Sequence, residues 1–179
     1  MVYVFLADGF EEIEALAVVD VLRRAQIETK TVGVGGDVIV GAHKIPVVCD
    51  ILDKDADLSK ADAIVLPGGM PGTLNLEKSA IVSDAVSYMY DRKKLICAIC
   101  AAPSILGHKG MLKGRKAICF PGFESELEGA ILSDKFVEED ENIITAKGMG
   151  SAVKFGVAIG ARFVGYEKMH SIEESLQCS

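Results

Sequence analysis

Leu95-Ile96-Cys97-Ala98-Ile99-Cys100-Ala101-Ala102-Pro103-Ser104-Ile105-Leu106 decides how the chain is read. Leu95 to Ala98 is a short apolar run of the kind that forms a buried strand. Ala101 onward reads as the first turns of a helix reaching His108, with proline near its start. Ile99-Cys100 is then the turn between them. The residues after Cys100 are small, as a sharp strand-to-helix elbow requires. A thiol so placed is expected at a helix N-terminus, where the dipole and free N–H groups favour the thiolate. A core cysteine is the plain alternative, and the Ala-Ala-Pro helix start argues for the chemical one.

Cys97 and Cys100 also match the C-x-x-C spacing of redox pairs. With Cys97 in a strand, the two Cα atoms stand roughly 10 Å apart when extended. A disulfide needs less than about 7 Å, so a dithiol switch is discounted. No second ligand pair accompanies these two, so a zinc site is weaker still. Cys49, Cys119 and Cys178 have no context beyond core or surface positions.

Outward from this stretch, apolar β-branched runs alternate with helical patterns. Strands are expected at Val2 to Ala7, Thr29 to Val34, Ile45 to Cys49, Ala63 to Leu66, Ala117 to Phe120 and Ile143 to Ala146. Helices are expected at Glu11 to Ala25, Ser79 to Arg92 and Ser151 to Val164. Gly33 to Lys44 reads as a hairpin excursion, and Glu124 to Glu141 as a polar insertion with one or two short strands. The rhythm predicts an α/β fold with a mostly parallel sheet and helices on both faces. In such folds the loops at the carboxyl ends of the strands gather on one edge. Four loops should therefore be neighbours: those at Asp8 to Glu12, Pro67 to Gly72, Cys100 to Pro103 and Lys147 to Gly150.

The chain has 179 residues, half of them hydrophobic and a quarter charged, and residues 1–179 are expected to form one domain. A net charge of -7 without a basic run gives nucleic acid or an anionic membrane no electrostatic footprint. No targeting leader or spanning segment is read, and the five cysteines suggest reduced thiols in the cytoplasm.

Glu14 is the second informative residue. At about 100° per residue it falls near the centre of an arc formed by Phe10, Ala17, Val18, Val21 and Ala25. A carboxyl group is aimed where a hydrophobe belongs, and burial should raise its pKa. Glu11 and Glu12 are expected to face water at the helix start. On the opposite face Leu16 and Val19 are left for a partner, which suggests a homodimer through the Glu11 to Ala25 helix. The glycines of Pro67-Gly68-Gly69-Met70-Pro71-Gly72 would let backbone N–H groups approach a substrate.

Asp8-Gly9-Phe10-Glu11-Glu12-Ile13-Glu14, Leu66-Pro67-Gly68-Gly69, Ala98-Ile99-Cys100-Ala101-Ala102-Pro103 and Thr145-Ala146-Lys147-Gly148-Met149-Gly150 together resemble the ThiJ/PfpI superfamily. The branch most resembled is that of the Parkinson-associated deglycase and the bacterial YajL-like proteins. The resemblance covers nearly the whole chain. It implies a flavodoxin-like three-layer sandwich, a homodimer, Cys100 as oxidisable nucleophile and Glu14 as its hydrogen-bonding partner. It also implies Gly69 and Ala101 as backbone donors and a pocket containing Gly68, Phe120, Gly148 and Gly150.

Two departures stand out. Relatives commonly carry His-Pro where this chain has Phe120-Pro121, and Lys147 replaces a common arginine. Without that imidazole, and with His43, His108 and His170 in no triad-like context, a Cys-His peptidase or a glutamine amidotransferase is not expected.

The leading expectation is attack by Cys100 on a small α-oxoaldehyde, or on its early adduct with a protein, with Glu14 shuttling the proton. No metal or organic cofactor is called for. The alternative is a redox sensor or holdase chaperone working through oxidation of Cys100. A regulator's ligand-binding domain is the weakest class, since no DNA-binding segment is read.

Overall fold

The computed structural model describes residues 1–177; Cys178 lies outside them. β1 (Val2–Leu6) leads into α1 (Glu12–Arg24), β2 (Thr29–Gly33), β3 (Val38–Val40), β4 (Pro46–Val48) and β5 (Ile51–Leu52). β6 (Ala63–Leu66) is followed by α2 (Gly72–Lys78) and α3 (Ala80–Asp91), and β7 (Leu95–Ile99) by α4 (Pro103–His108). Then come β8 (Lys116–Ala117), β9 (Ile131–Leu132), β10 (Val137–Asp140), β11 (Ile143–Ala146), α5 (Ala152–Val164) and α6 (Tyr166–Ser175).

Seven strands form the main sheet in the order β10-β11-β7-β6-β1-β2-β5. All its pairings are parallel except that of β10 with β11. Central strands of such a sheet are covered on both faces, which is why β1, β6 and β7 are apolar throughout rather than alternating. Their side chains still divide by parity. Val2, Val4 and Leu6 pack with Cys97 and Ile99 against α1, α5 and α6. Tyr3 and Phe5 pack with Ile96 and Ala98 against α2, α3 and α4. The result is a three-layer α/β arrangement, and no helix among the described residues is long and apolar enough to cross a membrane.

Several expected elements move. The run Ile45 to Cys49 is not a main-sheet strand: β4 pairs antiparallel with β3, so the hairpin expected within Gly33 to Lys44 instead reaches Val48. So short a connection permits only antiparallel pairing. The place beside β2 is taken by β5, whose two residues are too few to read. The run Ala117 to Phe120 leaves the sheet as well. β8 ends at Ala117 and pairs with β9. Beyond it, Ile118 N–H donates to Thr145 Oγ1 at 3.0 Å and Phe120 N–H to the Cys100 carbonyl at 2.8 Å. Helices α2 and α6 have no counterpart in the sequence reading; the Pro-Gly loop hides the first, and the second is polar on most of its surface. The polar insertion carries β9 and β10, as its composition suggested.

Helix α1 is the element that carries Glu14, and it is held by burial of Ala15, Val18, Val19, Val21 and Leu22. Leu22 is fully buried in this layer. Its truncation to Ala removes those contacts and leaves a void, and is expected to lower stability by about 2–5 kcal/mol. A denaturant titration of Leu22→Ala, read as a lower midpoint at unchanged slope, checks this.

Candidate active site

The chain turns sharply at Cys100. Its φ is +65°, in the left-handed region that a non-glycine residue enters only when the surroundings hold it there. They do so from both sides. Cys100 N–H donates to the Ala146 carbonyl at 2.9 Å, and the Cys100 carbonyl accepts from Phe120 N–H at 2.8 Å. The elbow is thus clamped between the end of β11 and the segment after β8.

The facing loop must come very close. A Cβ on Gly68 would lie 2.6 Å from Cys100 Cβ and 2.8 Å from Glu14 Oε2, so no larger residue fits between the two functional groups. Glu11 N–H donates to the Gly68 carbonyl at 2.9 Å, and Gly72 N–H to the Gly9 carbonyl at 3.1 Å. Three of the loops expected at the carboxyl edge therefore meet, and Gly148 of the fourth comes up beside Glu14.

Glu14 is completely buried. Its Oε2 accepts from Gly68 N–H at 2.8 Å, whereas Oε1 has no hydrogen-bond partner of good geometry. The other groups that reach the carboxyl are the Cys100 thiol and Met149 N–H. Burial raises the Glu14 pKa to about 7, against the opposing pull of Gly68 N–H and the thiol. Burial also pushes the Cys100 thiol up to about 12, reinforced by the neighbouring Glu14 charge. The N–H groups of Ala101 and Gly69 act in the other direction, donating toward sulfur.

This corrects the expectation that a helix dipole would hold Cys100 as a thiolate. Helix α4 starts only at Pro103 and has six residues, so its dipole is short and displaced from the sulfur. Desolvation and a nearby carboxylate outweigh it. The physical unit is a carboxyl–thiol pair that carries one negative charge between pH of about 7 and about 12. Passing the thiol proton to Glu14 moves that charge onto sulfur, toward Ala101 and Gly69 N–H, without changing the total.

Glu11 and Glu12 do not face water as expected; both are buried. The hairpin loop folds over them. His43 donates its backbone N–H to Glu12 Oε1 at 2.8 Å and pairs its Nδ1 with Glu12 Oε2 at 2.9 Å. Glu11, Glu12 and His43 are a group of potential metal ligands whose ligand atoms lie within 4.8 Å of one another. The His43 pKa is raised by its hydrogen bond to Glu12 and by the charges of Glu11 and Glu12. His108 bridges Glu77 and Glu126 at 2.5 and 2.9 Å, and His170 pairs with Glu174. Cys49, Cys97 and Cys119 are free buried thiols, each with its pKa raised chiefly by burial.

Beside the pair lies a cleft of about 310 Å³. Phe120, Gly148 and Gly150 line it as expected, while Gly68 belongs to the wall between Cys100 and Glu14 instead. Met149, within the Lys147 to Gly150 loop expected at this edge, lines it too, as do Phe136 and Ser151, which the sequence pattern did not single out. Phe136 sits in the polar insertion, where no periodicity marks a binding residue. Lys147, which also lines the cleft, has its ammonium 5.7 Å from the centre of the Phe136 ring.

Comparison with known proteins places this geometry. The DJ-1/PfpI family matches residues 1–162. The chain is 33% identical to Protein dj-1beta of Drosophila melanogaster over 97% of its own length and 94% of that protein's. It is 30% identical to the glutathione-independent glyoxalase DJR-1.2 of Caenorhabditis elegans, over 93% and 89%. It spans only 38% of the length of Protein DJ-1 homolog B of Arabidopsis thaliana, at 36% identity over 91% of this chain. Among solved structures, oxidized DJ-1 of Toxoplasma gondii superposes with a TM-score of 0.94 at 30% identity, covering 98% of this chain and 97% of the other. A DJ-1 superfamily protein of Salmonella typhimurium does so with 0.93 at 34% identity, over 98% and 97%. The fold is accordingly the flavodoxin-like sandwich of these structures, and the chain belongs to the DJ-1/PfpI family.

Proposed function

We propose that the chain is a cofactor-independent enzyme acting on small α-oxoaldehydes such as methylglyoxal, or on their early adducts with protein amines and thiols. The observation that carries this reading is a fully buried carboxyl, with a pKa near 7, set against a thiol on a strained elbow. Sulfur attacks the aldehyde carbon while the thiol proton passes by way of Glu14 to the new hydroxyl, giving a hemithioacetal. Ionised Glu14 then takes the proton from that same carbon and returns it to the neighbouring carbonyl carbon, by way of an enediol. The product is a 2-hydroxy thioester. Water hydrolyses it to the hydroxyacid, here lactate, and restores the thiol. Ala101 and Gly69 N–H donate toward the sulfur and the oxygens that charge beside it.

The same pair supports a second reading. A partly protonated Glu14 can donate to an oxygen on Cys100, which suits a redox sensor or holdase that works through the sulfinic acid. Likeness to a relative described as a glyoxalase favours the first. Partnering is proposed through α1. Leu16 is exposed there as expected, but Val19 is buried in the core, and its place on the outer face is taken by Ile13, which is 55% exposed.

Cys100→Ser is expected to abolish methylglyoxal turnover, and Glu14→Gln to lower kcat by about 10²–10⁴-fold. In the wild type kcat/KM should rise with pH through the Glu14 pKa near 7, and the Gln variant should lose that limb. Peroxide oxidation of Cys100 without any turnover would favour the sensor instead.

Stability carries the same signature with the opposite slope. The Glu14 pKa rises on folding from 4.5 to about 7, so the native state holds the proton more tightly. Stability from this group is complete below pH 4.5 and is lost as pH rises through 7, by about 3 kcal/mol. Urea titrations at pH 5 and pH 8 should show that loss in the wild type and not in Glu14→Gln.

Leu16→Glu would place an unpaired charge in the proposed interface and should yield a monomer near 19 kDa. Light scattering at micromolar concentration checks it; a variant that dimerises like wild type overturns this assignment.

A further inference from the structure

The cleft beside the Cys100–Glu14 pair is far larger and more apolar than methylglyoxal requires. Phe120, Phe136 and Met149 border it with 40, 60 and 42% of their surfaces exposed, a concentration of large hydrophobes that water solvates poorly. At roughly 30 Å³ per heavy atom, a methyl substituent would leave most of its 310 Å³ empty or wet.

The cleft adjoins the reacting groups through Gly148, which lines it and lies against Glu14. A Cβ on Gly148 would lie 3.1 Å from the Phe120 ring and 4.0 Å from Glu14 Oε1, so the ring and the carboxyl both come close to this glycine. Oε1 is the carboxyl oxygen without a hydrogen-bond partner of good geometry. The Phe120 backbone also holds the Cys100 carbonyl. A substrate whose aldehyde carbon reaches Cys100 can therefore extend its other substituent over Gly148 and between the two phenyl rings. The neighbouring ammonium of Lys147 lies 5.7 Å from the centre of the Phe136 ring.

We infer that the substrates of this site are α-oxoaldehydes with a bulky apolar, above all aromatic, substituent seated between Phe120 and Phe136. This rests on the aldehyde chemistry proposed for Cys100 and adds the class of substrate. Filling an apolar slot of this kind discriminates by about 10–200-fold. Phenylglyoxal is then preferred to methylglyoxal at the same sulfur.

Two measurements test it, each on wild type, Phe136→Ala and Gly150→Leu. Gly150 lines the cleft and has nothing within 4 Å of where a side chain would begin, so leucine there is chosen to narrow it. The first measurement is the ratio of kcat/KM for phenylglyoxal to that for methylglyoxal. The second needs no turnover: the concentration of each aldehyde that blocks Cys100 against iodoacetamide, normalised to its reaction with a small free thiol. Wild type should favour phenylglyoxal at least about tenfold in both, and each variant should reduce that preference at least about fivefold. Blocking that shows the preference in a protein without turnover would refute the enzymatic reading and keep the seat. Equal normalised blocking by both aldehydes, or a preference that survives both substitutions, overturns the inference. Unfolding midpoints of the two variants near that of wild type guard against loss of fold.

Discussion

A carboxyl group enclosed on all sides is the constraint around which the molecule is arranged. Glu14 has no exposed surface, one firm hydrogen bond from Gly68 N–H, and a thiol for a neighbour. Sequestration of this kind is unfavourable for the charged form, and the fold compensates only in part. Its α1 helix is anchored through Val18, Val21 and Leu22, and its oxygens are confined by a loop that tolerates no side chain at position 68. The incomplete compensation leaves the proton mobile.

The elbow works by the same logic. Cys100 is not activated by a strong opposite charge, nor by a long helix dipole. It is held in a left-handed conformation by backbone bonds from two directions, within reach of a base whose affinity for protons has been raised to match neutral pH. In the proposed reaction, rigid placement and tuned affinity would take the role that an imidazole takes in other cysteine sites. The absence of histidine beside Cys100 is consistent with that division of labour.

Much of this is legible in the chain. The apolar strands β1, β6 and β7, the small residues after Cys100 and the misplaced carboxyl in an otherwise apolar arc are local patterns, and each points to its true position. Long-range competition is not legible. Nothing local says that Phe120 N–H will be taken by Cys100 rather than by a sheet neighbour, or that His43 will fold over Glu11 and Glu12. Angle alone assigns Val19 to the outer face, yet the layer of α1, α5 and α6 reaches round the helix far enough to bury it. Cys100 acidity escapes the sequence for a related reason: a helix start is visible there, whereas the desolvation of the thiol is not.

Residue 120 illustrates the freedom gained when a main-chain group performs the structural task. The bond that steadies the elbow comes from its N–H, and any residue except proline supplies the same donor. The side chain is thereby released from duty to the nucleophile and lies on the wall of the adjoining cleft. Change at this one position can remodel what the cleft accepts while leaving the reactive turn intact. The turn at Cys100 and the wall of the cleft are thus set by different atoms of one residue.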